Sequence, residues 1–120
     1  MQPYLIAVVD DDPGVRGSLN SLLRSAGMDG IGFAAAEDLL GYADPARLDC
    51  IVTDLHMPGM SGTELQEELA RRAWAKPVIV MTAYPTDAAR DRALSAGARQ
   101  FLTKPVDPDA LLDAIEAAVG

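Results

Sequence analysis

Polar residues that could do chemistry stand where short apolar segments of the sequence end. They are, in chain order, Asp10, Asp11, Asp12, Asp54, Thr82 and Lys104. Carboxylates that are brought together repel one another, so a site that contains several of them needs a cation. Mg²⁺ suits such a site because it prefers oxygen ligands, typically one or two carboxylates with waters and a phosphate oxygen. The ammonium group of Lys104 would add a second positive charge, placed to meet an anion.

A carboxylate can also act as a nucleophile and form an aspartyl phosphate. Phosphoryl transfer requires alignment and charge neutralisation more than covalent help from the protein. In such a site Mg²⁺ and Lys104 would neutralise the phosphoryl oxygens, and Thr82 could donate a hydrogen bond to one of them. The residue types therefore indicate phosphoryl transfer to a carboxylate.

Each of these residues also has an ordinary structural explanation. Asp12 precedes Pro13 and is a good helix N-cap, which is the interpretation we favour for it. Asp54 could be a turn residue before a Pro-Gly loop, Thr82 the end of a strand, and Lys104 a surface charge. Their occurrence together at four strand ends favours a shared site.

The elements that must position these residues are predicted from hydrophobic pattern. Short apolar segments predict buried strands, and a segment with two glycines is a weaker candidate; in chain order they span residues 4–9, 30–34, 50–53, 77–81 and 100–103. Helical spacing of apolar residues occurs between the strands, for example at Val15, Leu19, Leu22, Leu23 and Ala26, and at Leu111, Leu112, Ile115, Ala118 and Val119. This fivefold alternation predicts one parallel sheet with helices on both faces. Ligands bind at the carboxyl ends of the strands in such sheets.

Helix boundaries carry local signals. Ser61 with Glu64 forms a capping box, and Asp107 followed by proline predicts another helix start. Gly27 and Gly97 stand where the first and fourth helices should end, in the position of a left-handed cap.

Length and charge exclude several classes of function. The 120 residues predict a single domain, residues 1–120. The net charge of -8 disfavours direct binding to nucleic acid or to anionic lipid. Cys50 is the only cysteine, which suits a reducing cytoplasm and is interpreted as a buried apolar residue. The sequence also shows neither a signal peptide nor a membrane-spanning segment.

The chain resembles the receiver domain of two-component response regulators over essentially its whole length. The acidic pair matches Val8-Val9-Asp10-Asp11, and the phosphoacceptor segment matches the eleven residues from Val52 to Gly62. The family's Thr-Ala step matches Thr82-Ala83, and its Lys-Pro step matches Lys104-Pro105. The phosphoacceptor loop is most similar to receivers of the nitrogen-fixation regulator type.

The resemblance implies a ligand set and an acceptor. Asp54 would be phosphorylated, and Asp11 and Asp54 would ligate Mg²⁺ directly. Asp10 would act mainly through water, and His56 would contribute its backbone carbonyl. A side-chain metal bond from His56 is not expected, because one imidazole beside hard carboxylates matches no transition-metal set.

The resemblance also implies a fold and a switch. The fold would be a flavodoxin-like (βα)5 three-layer sandwich with strand order 2-1-3-4-5, and the Lys104-Pro105 peptide would be cis. Thr82 and Phe101 would be the switch residues. Phe101 replaces the tyrosine of many relatives, so a hydroxyl is lost and an aromatic ring is kept. We expect phosphorylation to draw Thr82 inward and to let Phe101 turn in.

The implied function is a signalling switch rather than an enzyme acting on a separate substrate. A sensor histidine kinase would be the phosphodonor, and the domain would catalyse only its own phosphorylation and dephosphorylation. The fourth helix and fifth strand would become a dimer or partner surface. Receivers of the nitrogen-fixation type control a helix-turn-helix output domain, which this chain lacks, so we expect either a free-standing receiver or the receiver part of a longer protein.

Three other functions fit parts of the pattern. A phosphatase of the haloacid dehalogenase type would place a second aspartate two residues after the nucleophile, where this chain has His56. A pure interaction module would lack one of the acidic, threonine or lysine positions. A flavin carrier would have a Ser/Thr/Gly-rich loop after the first strand instead of three aspartates.

Overall fold

The computed structural model describes residues 3–120. Its strands are β1 Leu5–Val9, β2 Asp29–Phe33, β3 Cys50–Asp54, β4 Val78–Thr82 and β5 Gln100–Thr103. Its helices are α1 Pro13–Ser25, α2 Ala36–Leu40, α3 Gly62–Arg71, α4 Asp87–Ser95 and α5 Pro108–Val119, with a short 3-10 helix at Pro45–Arg47. None of the helices within residues 3–120 has the length and apolar character needed to cross a membrane.

The five strands form one sheet in which every pairing is parallel. The strand order is β2-β1-β3-β4-β5. The predicted flavodoxin-like architecture is therefore confirmed. The register aligns Val9 with Thr53 and Asp54 with Met81, so the last residues of β1, β3 and β4 reach the same edge of the sheet.

Helices cover both faces of the sheet, which makes three layers. Leu19 and Leu23 of α1 share one core cluster with Leu111 and Ile115 of α5. The other cluster contains residues of α2, α3 and α4. Alternate residues of each central strand enter opposite clusters, as the period of two in a strand requires. The sheet edge at the carboxyl ends is left for polar side chains.

The predicted helix caps are present. The Asp12 side chain accepts hydrogen bonds from the first turn of α1, Ser61 and Glu64 form the capping box of α3, and Asp107 caps α5. Gly27 and Gly97 follow α1 and α4 and have φ angles of 78° and 102°. These left-handed values explain why glycine stands at both positions.

The observed boundaries differ from the predicted ones by one residue in several strands. Tyr4 is exposed and lies before β1, and Pro77 lies before β4. Proline has no N–H to donate to a neighbouring strand, which agrees with its place outside the ladder. Ala26 was expected on the buried face of α1, but it is the exposed C-cap residue. The helix ends before Ala26 can reach the sheet.

Cys50 is buried in β3, in agreement with its interpretation as an apolar residue. Burial raises the pKa of its thiol to about 12. A thiol of this kind stays protonated at neutral pH and is unreactive. Cys50 therefore has a packing role in the fold.

Candidate functional site

An acidic cluster lies at the carboxyl edge of the sheet. Asp10, Asp11 and Asp54 each place one carboxylate oxygen within 4.8 Å of the others. Asp10 is fully buried and Asp54 is 6% exposed, whereas Asp11 is exposed to solvent. The first two aspartates follow β1 and Asp54 ends β3, which is the neighbour of β1 in the sheet. Strand pairing therefore brings together residues that are 43 to 44 positions apart in the sequence.

Lys104 reaches this cluster from the loop after β5. Its Nζ atom lies 2.6 Å from Oδ2 of Asp10 and 3.4 Å from Oδ2 of Asp54. The backbone N–H of Lys104 donates to the carbonyl of Thr82 at 2.8 Å, which joins the loop to the end of β4. The peptide bond between Lys104 and Pro105 is cis. The ammonium group is thus paired with carboxylates.

The site changes the proton affinity of its charged groups. Burial raises the pKa of Asp54, and the charge of Asp10 acts in the same direction, while Lys104 and a backbone hydrogen bond from His56 oppose the rise. Burial alone would lower the pKa of Lys104, but the hydrogen bonds and charges of Asp10 and Asp54 outweigh it and raise this pKa. Lys104 is therefore charged at neutral pH, whereas the charged form of Asp54 is disfavoured. A further cation would favour the ionised carboxylates.

The donor set fits Mg²⁺. All three groups offer hard oxygen atoms, and the exposed Asp11 leaves one side of the cluster open to water. The three carboxylate oxygens lie close enough together for one small cation to bind between them. A site with few protein ligands and several waters is also the arrangement that Mg²⁺ commonly adopts.

Thr82 is the last residue of β4 and is fully buried. Its hydroxyl oxygen accepts a hydrogen bond from the backbone N–H of Tyr84 at 3.0 Å. Accepting this bond does not use the O–H donor of Thr82, which is the group that a phosphoryl oxygen would need.

Phe101 lies on β5 and pairs with Val80 of β4, while Thr82 pairs with Thr103. Side chains of paired residues point to the same face of a sheet, and so do those of residues two apart in a strand. Phe101 and Thr82 thus share one face, on which Phe101 is half-buried against the core of α2, α3 and α4.

His56 follows Asp54 by two residues and is exposed. Its ring meets the ring of Tyr84 edge to face, with a centroid separation of 5.9 Å. Tyr84 is itself 73% exposed, so the two rings form a surface contact beside the acidic cluster. The role of the His56 carbonyl as a metal ligand stays a prediction.

Two contacts near the site were not predicted from the sequence. Arg16 of α1 donates from Nη1 to the carbonyl of Asp10 at 2.7 Å. Gly62 at the start of α3 lies so close to β3 that an added Cβ would be 2.6 Å from the carbonyl oxygen of Asp54. Sequence patterns carry no signal for either contact, because both depend on how separate elements approach in space.

The chain is similar to known proteins over most of its length. The family model of the response regulator receiver domain matches residues 6–116. The chain is 39% identical to nodulation protein W of Bradyrhizobium diazoefficiens over 95% of its own length and 50% of that protein. It is 41% identical to the transcriptional regulatory protein FixJ of Azorhizobium caulinodans, over 96% of this chain and 54% of FixJ.

A solved structure of a related protein has the same fold. The crystal structure of FixJ-N superposes with a TM-score of 0.90 at 37% identity, covering 99% of this chain and 95% of that one. The chain spans about half the length of the curated relatives it matches. The similarity to receivers of the nitrogen-fixation type is confirmed, and this chain belongs to the response regulator receiver domain family.

Proposed function

We propose that this domain is a phosphorylation-dependent switch that accepts a phosphoryl group from a sensor histidine kinase onto Asp54. The observation that carries the proposal is the position of Asp54. It ends β3 beside two other aspartates, and its carboxylate lies 3.4 Å from the ammonium group of Lys104. Transfer of a phosphoryl group to a carboxylate, which forms an acyl phosphate, requires a nucleophilic carboxylate beside a fixed cation and a metal-binding donor set.

The transfer breaks one bond and forms one. An oxygen of the Asp54 carboxylate attacks phosphorus, and the bond from phosphorus to the nitrogen of the donor histidine breaks with its electron pair returning to the imidazole. Lys104 turns from Asp10 towards a phosphoryl oxygen, and Thr82 donates its O–H to another. Asp11 and Asp54 would hold Mg²⁺ directly, with Asp10 acting through water and His56 through its carbonyl. When bound, Mg²⁺ supplies positive charge to the phosphoryl oxygens.

The proposed activity is regulatory, with no separate substrate to turn over. Two similar proteins are a nodulation protein and a transcriptional regulatory protein. Because the chain spans about half of each, control of a DNA-binding output domain is part of the proposal. With a net charge of -8, the domain itself is not expected to bind nucleic acid. A cytoplasmic location is also proposed, since a single cysteine cannot form an internal disulfide.

The partner surface is proposed to lie on α4 and β5, where a homodimer would form after phosphorylation. Ala93 is the buried residue of α4, whereas Leu94 of the same helix is 38% exposed and Phe101 of β5 is half-buried. Sedimentation velocity with acetyl phosphate and Mg²⁺ is expected to show dimers of the wild type and monomers of Phe101→Ala. Equal association of the two proteins would remove Phe101 from the mechanism.

The acceptor function is tested by intact mass after incubation with acetyl phosphate. The wild type is expected to gain the mass of one phosphoryl group in the presence of Mg²⁺ and none when EDTA replaces the metal. Asp54→Asn is expected to gain nothing. Asp38→Asn, which alters an exposed aspartate of α2, serves as the matched control and should behave like the wild type. A wild-type protein that gains no mass would instead indicate an interaction module that works without phosphorylation.

A further inference from the structure

Arg16 holds the backbone of the acidic loop after β1. Its guanidinium group donates to the carbonyl oxygen of Asp10 at 2.7 Å. This carbonyl belongs to the peptide that joins Asp10 to Asp11, and a peptide is planar. The contact therefore fixes the orientation of the peptide plane that leads into Asp11, and with it the direction of the Asp11 side chain. Among the described contacts, none joins Arg16 to the carboxylate of Asp11.

The other polar groups of Asp10 have partners of their own, and its carbonyl oxygen is the group that Arg16 binds. The Asp10 side chain accepts from the Asp12 N–H at 2.9 Å through Oδ1 and pairs with Lys104 through Oδ2. Its backbone N–H donates to the carbonyl of Phe33 at 3.0 Å. With Arg16 on the carbonyl, the side chain and both backbone groups of Asp10 are held, which is how supporting residues fix the ligands of a metal site.

Gly32 of β2 makes room for the Arg16 side chain. A Cβ built on Gly32 would lie 3.2 Å from Cδ and 3.7 Å from Cβ of Arg16. The arginine stem thus passes Gly32, one of the two glycines of β2, on its way from α1 to the end of β1. Gly32 has no positive φ, so backbone conformation does not call for glycine here, and a side chain at this position would tighten the contact with the arginine stem.

We infer that Arg16 is a positioning residue of the phosphorylation site, which orients the Asp10–Asp11 peptide for Mg²⁺ binding, with Gly32 providing the space it needs. The inference rests on the proposed function, since it concerns the same metal site. Arg16 is also a cation beside the acidic loop, and its charge alone would weaken Mg²⁺ binding by repulsion. Positioning and charge therefore predict opposite results when the arginine is made neutral.

The test is calorimetric titration of the metal alone, in the absence of any phosphodonor. Arg16→Gln is expected to bind Mg²⁺ about tenfold more weakly than the wild type, the scale found when supporting partners of metal ligands are removed. Arg16→Lys, which keeps the charge and one donor, should recover part of the affinity. Arg24→Gln removes the same charge from an exposed position of the same helix and should leave the affinity unchanged.

A second variant acts on Arg16 without removing it. Gly32→Ala should displace the arginine stem and weaken Mg²⁺ binding, and the double variant Arg16→Gln/Gly32→Ala should bind no more weakly than Arg16→Gln alone. Thermal unfolding without Mg²⁺ shows that each variant is folded before titration. Wild-type or tighter Mg²⁺ binding by Arg16→Gln would overturn the inference and leave only a charge effect.

The proposed function is measured in separate samples of the same proteins, by intact mass after incubation with acetyl phosphate and Mg²⁺. If the wild type and Arg24→Gln gain a phosphoryl group while Arg16→Gln binds Mg²⁺ normally, only the inference about Arg16 fails. If the wild type binds Mg²⁺ more tightly than Arg16→Gln but gains no phosphoryl group, the positioning role stands and the proposed function fails.

Discussion

Replacement of Gly62 by alanine is expected to lower the free energy of unfolding by about 3 kcal/mol or more, at the upper end of the cost of overpacking. The added methyl carbon would lie 2.6 Å from the carbonyl oxygen of Asp54 and 2.9 Å from Cα of Leu55. Both are backbone atoms of a buried segment, so neither can move aside cheaply. The N–H of Gly62 also donates to the carbonyl of Leu55 at 2.9 Å, which holds the start of α3 against the end of β3.

The matched control is Gly17→Ala, in which the same methyl group is added to an exposed position within α1. A Cβ there meets nothing within 4 Å. Since glycine inside a helix costs about 0.5 to 1 kcal/mol relative to alanine, this variant should be more stable than the wild type. Urea unfolding measures both changes. Equal stability of Gly62→Ala and the wild type would show that α3 can move away from Asp54 without cost, against the packing described here.

Lys104→Met is expected to slow phosphorylation by acetyl phosphate about 100-fold, the usual effect of removing one group that stabilises charge in a transition state. It should also lower stability in the absence of Mg²⁺ by about 2 kcal/mol, because the fully buried Asp10 loses the cation 2.6 Å from it. The expected loss is smaller than for a completely buried pair, since the Lys104 side chain is 18% exposed. Phosphorylation is followed by intact mass and stability by urea unfolding.

The stability difference between the wild type and Lys104→Met depends on pH, because the pKa of Lys104 is raised in the folded wild type. A raised pKa in the folded protein means that the stabilisation is complete below the ordinary pKa of lysine, about 10.4, and is lost as the pH rises through the folded-state pKa. The stability difference between wild type and variant should therefore be at its full size at pH 7 and shrink at strongly alkaline pH.

Lys76→Met is the control, because it removes the charge of the other lysine, whose Nζ contacts the carbonyl of Ala46 away from the acidic cluster. It should be phosphorylated at the wild-type rate. Added Mg²⁺ should restore part of the stability lost in Lys104→Met, since it returns positive charge to the cluster. If both lysine variants are phosphorylated at the wild-type rate, Lys104 has no part in the transfer.

Lys104 neutralises part of the negative charge of the acidic cluster. Lys104 pairs with Asp10 and lies near Asp54, so under the proposed function it would exchange carboxylates for phosphoryl oxygens when Asp54 is phosphorylated. The same lysine is joined through its backbone N–H to the carbonyl of Thr82. A movement of Lys104 would thus displace the end of β4, where Thr82 shares a face of the sheet with Phe101.

The fold was largely predictable because its signals are local and repeated. Alternating strands and helices are marked by hydrophobic period, and the caps at Asp12, Ser61 and Asp107 depend on neighbouring residues alone. Strand bounds shifted by a residue at Tyr4 and Pro77 because pairing with the neighbouring strand decides where a strand begins. The polar residues at the strand ends were predicted to meet because a parallel sheet gathers its carboxyl ends.

The finer contacts of the site could not be predicted from the sequence. The ion pair of Lys104 with Asp10 joins residues 94 positions apart, and the choice between Asp10 and Asp54 depends on loop geometry. Gly32 lies close to the side chain of Arg16, and Gly62 lies close to the backbone at the end of β3. Neither approach can be predicted from the sequence. Thr82 was expected to face an incoming phosphoryl group, and its bond from Tyr84 depends on the backbone of the following loop.

The most direct test of the central claim is to locate the modified residue. Borohydride reduces an acyl phosphate to an alcohol, so an aspartyl phosphate becomes homoserine, which tandem mass spectrometry can place in the sequence. After treatment with acetyl phosphate and Mg²⁺, homoserine is expected at position 54 and only when Mg²⁺ is present. Homoserine at Asp10 or Asp11, or at no position, would contradict the assignment of Asp54 as the phosphoryl acceptor.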